Sequence, residues 1–399
     1  MPPNAVEAGV KDLRVHFIRE AVTGTVPGNP AWLRYSDSIQ NITESPNANV
    51  YQQRPVGNVD VTEFLKGPED HQLEIVYELQ NWFTSSGDAA TDGLDRASDG
   101  ALLNTHSYLS RQDIVSGGIL SSGRRVYTVG KGGRIGSVGL AGDPNTGEPM
   151  KVTLGYTFEK MRSYEIAQPA AGGVITIVSD SAADSSQTVT VTNEAASSSE
   201  TIALNGVTPV AGSTSFTDID SLTLSAECTG DVSIKHTSVV ICTILGKTSN
   251  GGYEGDIGIP ALGSGSFQAA LGSAYEFIVG STIQRGSADL EGGATVRTFE
   301  INVNNNLDVN PRVDSRKRRI IEGTRAITAV ASIFSEIGSH ESFVQHIKAV
   351  EADLVWTTSS GSLTLTGSAL TTMGGRSYES GQAVMTRGNT FTGKGLTIA

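Results

Sequence analysis

Chemistry needs side chains that titrate, coordinate or attack, and the densest grouping of them here is cationic. Arg316-Lys317-Arg318-Arg319 lies between Arg312 and Arg325, in a segment that also carries Asp308, Asp314 and Glu322. A basic run can grip phosphate, but its neighbours argue otherwise. Phe299, Ile301 and Val303 alternate with Glu300 and Asn302 before it, and Ile327, Ala329, Ala331 and Ile333 alternate after it, so two strands enclose it. Along a strand successive side chains point to opposite faces, which turns half of these cations away from the rest. No aromatic residue is interleaved to stack on a base. Cations set among carboxylates suit ion-pair networks, where the planar guanidinium fork binds a carboxylate through two bonds. Arg316, Arg318, Arg319, Glu322 and Arg325 are therefore expected at an interface between chains, with DNA contact as the alternative.

The other groupings fail on spacing. His340 and His346 sit six positions apart on an expected helix. Six residues turn a helix by about 240°, so the two imidazoles face apart instead of sharing a zinc ion. Asp88, Asp92, Asp95 and Asp99 share a Gly/Asp loop without the alternating order of a calcium loop, and a solvated acidic loop is expected. Gly130-Lys131-Gly132-Gly133-Arg134-Ile135-Gly136 matches neither phosphate-binding glycine pattern and is expected to be a hairpin turn. The Gly-rich stretch from Gly258 to Gly272 lacks phosphate-loop order as well. No serine occupies a G-x-S-x-G elbow, and no cysteine is paired with a suitable histidine. The chain is accordingly not expected to be an enzyme, and no catalytic residue, cofactor or metal ligand is assigned. Cys228 and Cys242 could bridge neighbouring strands, but free buried thiols are the expectation for an intracellular product.

Composition narrows the class further. The 399 residues carry 42 Asp and Glu against 29 Lys and Arg, a net charge of −13. An acidic balance disfavours tight binding of DNA phosphates. Carboxylates in excess and few lysines read as adaptation to high salt, because carboxylates stay hydrated where screening is strong. Length implies two or three domains with ample core. Abundant Ser, Thr, Val and Gly with few long helical patterns make the chain mainly β. The opening MPPNAVEAGVKDLRVHF has no apolar h-region, so no signal peptide is expected, and no window approaches a membrane span.

The elements that must position any site are short alternating runs. Residues 12–20 read as an edge or half-buried strand, 40–58 as a long polar loop, and His71–Phe83 as a strong strand with Leu73, Ile75, Tyr77 and Leu79 on one side. Further strands are expected at Tyr108–Val115, Arg125–Gly130, Arg134–Leu140 and Lys151–Ile166. After Gln168 the texture becomes Ser/Thr/Val-rich, with evenly spaced short strands to Leu245, the pattern of a small β-sandwich. It lacks the Cys…Trp…Cys signature of antibody domains, so it is Ig-like in architecture only. One helix is expected near residues 339–350, where Phe343, Val344, Ile347 and Val350 form an apolar stripe. The same β texture flanks the Ser/Thr-rich stretch on both sides. The expected organisation is one β domain, 1–167 and 251–399, interrupted by an inserted Ig-like domain at 168–250.

The stretch Asn305-Asn306-Leu307-Asp308 followed by Ser315–Thr328, SRKRRIIEGTRAIT, resembles the second half of the tail tube proteins (major tail proteins) of tailed viruses. Val15–Glu20 and Pro30–Tyr35 resemble that family's opening strands, and Gly255–Leu262 and Gly280–Gly286 fit versions that carry an Ig-like insertion. With the acidic, Lys-poor composition, the resemblance is to tubes of haloarchaeal viruses. It implies a tail-tube β-sandwich or barrel with one flanking helix, assembling with itself into hexameric rings that stack into a tube in the virion tail. It also implies assembly in the host cytoplasm, contacts with other tail proteins at the tube ends, and genome DNA passing through the lumen without specific binding. The polar stretch 40–58 falls where the family carries its ring-stacking extension. The rival expectation is a virion surface adhesive module acting through the Ig-like domain. Deleting 170–248 is expected to leave rings intact under the first reading and to abolish the main activity under the second.

Overall fold

The computed structural model describes residues 13–27, 30–53, 63–80, 89–94, 103–114, 123–142, 148–169, 171–194, 197–252, 254–260, 282–286, 288–289, 296–311, 318–334, 347–357, 361–373 and 386–399. The first part builds β1 (Leu13–Arg19), β2 (Leu33–Arg34), β3 (Ile39–Gln53), β4 (Glu63–Glu78), α1 (Ala89–Leu94), β5 (His106–Ile114), β6 (Arg124–Gly142), β7 (Lys151–Phe158) and β8 (Lys160–Ala167). β6 organises all of them. Its first half pairs with β5 and β8, and its second half pairs with β7, so one strand belongs to two sheets in turn. The Gly-rich run Gly130–Gly136 therefore lies inside a 19-residue strand and is not the hairpin turn its composition suggests. The reason is steric. A Cβ on Gly133 would sit 2.2 Å from the Phe158 ring and one on Gly130 2.8 Å from it, while Gly132 has a φ of +64°. Glycine is required for β6 to bend beneath Phe158 as it crosses between sheets.

The chain's last part extends the second sheet. β17 (Thr282–Arg285), β18 (Ala288–Asp289), β19 (Val296–Asn304), β20 (Asp308–Pro311), β21 (Arg318–Ile321), β22 (Ala326–Phe334), β23 (Glu351–Thr357), β24 (Ser362–Met373), β25 (Thr386–Gly393) and β26 (Gly395–Ile398) follow in order. Hydrogen bonding runs β3-β4-β7-β6-β19-β22-β25-β24-β23-β17-β18, with β26 continuing β25 along β24 and β20 pairing only with β21. The alternation read in the sequence is kept: Phe299, Ile301 and Val303 of β19 and Ile327, Ala329 and Ala331 of β22 are buried. Val15, Phe17 and Tyr108 from the first sheet pack in one core with Leu73, Ile75, Tyr77, Leu154, Tyr156 and Phe158 of the second. Each such side chain removed from water stabilises the fold by roughly 1.5–3 kcal/mol.

Residues 173–259 form two four-stranded antiparallel sheets. β12 (Val210–Phe216), β9 (Gly173–Ser179), β14 (Val232–His236) and β15 (Val239–Ile244) make one, and β11 (Ser199–Ala203), β10 (Thr188–Thr192), β13 (Ser221–Leu224) and β16 (Gly258–Ile259) make the other. Two of these strands leave faint traces in the sequence. β12 reads VAGSTSF, small and polar, and β16 is two residues long and completes its sheet beyond residue 250. The sandwich does not stand apart. Ile18, Leu109, Tyr127, Val129, Tyr164 and Ile166, on the outer face of the β8-β6-β5-β1 sheet, share one apolar core with its interior. That sheet is covered on both faces, which is why β1 shows four consecutive buried residues instead of the alternation of a half-buried edge strand.

Two loop expectations are also corrected. Residues 40–53 of the expected polar loop belong to β3, one arm of a hairpin whose register with β4 runs from Ile39↔Tyr77 to Gln53↔Glu63. Ile39 and Ile42 pack on the core, but the stretch is otherwise mostly polar, so hydropathy gives little sign of the ladder that orders it. The Gly/Asp loop contains α1, and its Asp92 is buried instead of solvated. Residues 339–346 of the expected flanking helix lie outside the described residues, and with them His340, Glu341 and His346.

Candidate functional site

The described part of the basic run, Arg318 and Arg319, sits on the β20–β21 hairpin, which follows β19 and precedes β22 in the chain and, among the described residues, pairs with no other strand, although β21 lies against β4. Asp308 faces Ile321 across it, and Asn310 faces Arg319. Arg319 is exposed and Ile320 is buried. Arg318 occupies the register position opposite Pro311, while Arg312, Arg316 and Lys317 lie outside the described residues.

Glu322 and Arg325 serve the root of the hairpin. The Glu322 carboxylate accepts from Arg134 and from the Leu103 amide at 2.8 Å. Arg325 donates to the Leu94 carbonyl, and Asn305 Nδ2 donates to the carbonyls of Ile135, at 2.9 Å, and Gly93, at 3.3 Å. Asn306 closes the root by donating to the Thr324 carbonyl. The last carbonyls of α1 are thus capped by the hairpin they support, as a helix C-terminus requires. At its other side α1 presents Asp92, which accepts from Arg19, from Asn104 at 2.7 Å and from His106 Nε2 at 2.7 Å. Burial would raise the Asp92 carboxyl, but its bonds to His106 and Arg19 outweigh that and lower it.

The second projecting element is the β3–β4 hairpin. β7 accompanies β4 only from Glu78 to His71, whereas β3 accompanies it to Glu63. Among the described residues no further strand pairs with Glu63–Asp70, and these eight residues form with β3 a two-stranded arm, roughly 26 Å at the rise of an extended chain. A charged cluster sits at the arm's base. Arg162 of β8 holds both oxygens of Glu69, at 2.6 and 2.9 Å, and its Nε reaches Asp256 at 3.1 Å. Lys160 joins at 3.0 Å from Asp256 and donates to the Gly255 carbonyl at 2.8 Å. His71 Nε2 lies 2.9 Å from Glu69 Oε2. Burial works to raise the Glu69 carboxyl, but the bonds from His71 and Arg162 prevail and bring it to about 2.

A third cluster fastens the sandwich to the first sheet. Arg111 of β5, 1 % exposed, binds Asp220 at 2.8 Å, Asp113 at 2.7 and 2.9 Å, and Glu194 at 3.1 Å. Arg125 of β6 binds Glu194 at 2.7 Å and donates to the Ile219 carbonyl at 2.9 Å, and the Tyr127 hydroxyl donates to Asp220 at 3.0 Å. None of these residues stood out as a motif. The available signal was a cation on an apolar face: Arg162 shares its side of β8 with Tyr164 and Ile166, and Arg125 shares its side of β6 with Tyr127 and Val129.

An open groove of about 610 Å³ lies between β1 and the start of β3, lined by Leu13, Val15, Arg34, Ser36, Ile39 and Ile42 among others. Its walls are strand edges: among the described residues Leu13–Val15 pair with β5 alone, and β3 with β4 alone. Cys228 and Cys242 are free and buried, and burial pushes both thiols up to about 12. Among the described residues no group of three His, Cys, Asp or Glu side chains could hold a metal ion, and no helix is long and apolar enough to cross a membrane.

No family model matches the chain, and no curated protein does. Among solved structures, a chain from the virion of a native gene transfer agent particle aligns at 12 % identity with a TM-score of 0.25, over 30 % of this chain and 95 % of its own length. A chain from the tube-terminating cap of an anti-feeding prophage aligns at 14 % identity with a TM-score of 0.23, over 30 % of this chain and 87 % of its own. Scores this low do not imply a shared fold.

Proposed function

We propose that this chain is a virion structural protein, a tail tube subunit that assembles with itself into stacked hexameric rings and lets genome DNA pass through the lumen. The observation that carries this reading is the β3–β4 arm, a ladder that outruns its neighbour β7 and, among the described residues, continues as two strands. An isolated two-stranded hairpin is marginal in water, and its unpaired edges are templates for another chain. The β20–β21 hairpin and the edges flanking the β1–β3 groove repeat that condition. A closed ring of copies removes such edges. The sequence resemblance of Asn305–Thr328 to tail tube proteins supports the same reading, and the net charge of −13 suits a conduit that does not grip phosphate.

In this reading Arg316, Arg318 and Arg319 act between protomers from the hairpin, while Glu322 and Arg325 hold its root within the chain. The 168–250 insertion, completed by β16, forms an outer layer of the wall. The virion tail is the location, other tail proteins cap the tube, and a haloarchaeal virus is the source class. Electron microscopy of the purified protein across salt concentrations tests the reading. Six-fold rings and tubes are expected; monomers at every salt and protein concentration would overturn it.

A further inference from the structure

The cluster at the base of the arm joins three parts of the molecule that are far apart in sequence. Glu69 and His71 belong to β4 where the arm leaves β7, Arg162 and Lys160 belong to β8, and Asp256 belongs to the connector between β15 and β16. That connector is pinned to the sandwich, since the Asp256 amide donates to the Leu245 carbonyl at 2.8 Å. Glu69 and Asp256 are buried, at 9 % and 2 % exposure, and meet two cations, so the cluster is balanced in charge. Burying ion pairs costs much of what their attraction returns, and apolar residues of similar volume would give comparable or greater stability. What such a cluster supplies is geometry. The Arg162 fork fixes Glu69 in a plane through two bonds, and the same guanidinium spends its Nε on Asp256.

We propose that Arg162 is a conformational latch that wires the sandwich to the arm, so that the position of the 254–257 connector sets the angle at which the arm leaves the body. The arm's base sits at the last rung shared with β7, His71↔Phe158, where a two-stranded ribbon would otherwise hinge. The sandwich cannot drift independently, because Arg111 and Arg125 clamp its other end to β5 and β6. A displacement of the 254–257 connector by a bound partner would therefore reach the arm through Asp256 and Arg162. The use of that coupling, presenting or withholding the arm from a neighbouring copy, rests on the assembly reading. The latch itself does not.

Spin labels at Gln52→Cys on the arm and Ala203→Cys on the sandwich report the distance directly. The native thiols are buried and held largely protonated, which leaves the introduced cysteines to react. Labelled protein is diluted into unlabelled protein, so the intramolecular distance is read whether or not chains assemble. The expected result, read well below the thermal midpoint of each variant, is a single narrow distance in the parent, a broad distribution in Arg162→Met, and an intermediate one in Asp256→Asn. A narrow, unshifted distance in Arg162→Met overturns the latch. Broadening in Arg162→Met without any in Asp256→Asn also overturns the proposal, since the arm would then be held by the body alone. Should Arg162→Met not fold, Arg162→Lys, which keeps the charge and loses the fork, carries the same readout.

Discussion

Glycine at position 133 is a steric requirement that a single methyl group tests. A Cβ there would meet Phe158 at 2.2 Å, and Phe158 is itself buried and stacked on Tyr156 with ring centroids 5.5 Å apart. Gly133→Ala is expected to destabilise the protein by about 1–3 kcal/mol, the usual cost of overpacking, read as a lower denaturant midpoint. Gly388→Ala, where an added Cβ meets nothing within 4 Å, is the matched control and should stay within about 0.5 kcal/mol. Glu69 is tested by pH. Its folded-state value of about 2 lies below the ordinary 4.5, so its contribution is complete above pH 4.5 and is lost as pH falls from there towards 2. Solvent screening brings the contribution below the full linkage value, to about 1–2 kcal/mol. Glu69→Gln should therefore flatten the dependence of stability on pH across that window and lower stability at neutral pH. An unchanged acid slope in the variant would refute the assignment.

At the scale of elements, the β20–β21 hairpin separates assembly from stability. Arg319 is exposed on a hairpin whose anchors are Asn305, Asn306, Glu322 and Arg325, so Arg319→Glu should leave the thermal midpoint nearly unchanged while suppressing ring or tube formation measured by light scattering and microscopy. Intact polymerisation with altered DNA binding would instead return the run to the nucleic-acid reading. The two strands enclosing this hairpin were legible because they are half-buried and alternate, as Phe299–Val303 does. β3 was not, because after Ile42 its sequence is mostly polar and its pairing with β4 carries no hydropathy signal. The Gly130–Gly136 run misled for a related reason: glycine marks both turns and close approaches, and only the position of Phe158 distinguishes them. The clusters at Arg111 and Arg162 were illegible because Asp220, Glu69 and Asp256 reach them from elements about a hundred positions away.

At the scale of the whole molecule, the sandwich behaves as a layer of the body and not as an ornament on it. Its removal uncovers Ile18, Leu109, Tyr127, Val129, Tyr164 and Ile166 together with Arg111 and Arg125. Deleting 170–248 is therefore expected to give insoluble or unfolded protein, and the bare rings anticipated from the sequence should not form. The ion cluster allows a finer test that leaves the layer in place. Arg111→Met strands the buried Asp220 carboxylate, and breaking a buried pair from one side costs roughly 3–5 kcal/mol. Asp220→Asn on the same background removes the stranded charge and should recover much of that loss, because the two substitutions act on one interaction and are not additive. The coupling appears as a double-mutant cycle in thermal or denaturant unfolding. If the losses simply add, the pair does not act as a unit. If they compensate while the denaturant slope stays that of the parent, sandwich and body unfold as one cooperative body, and any ring built from this chain carries the sandwich within its wall.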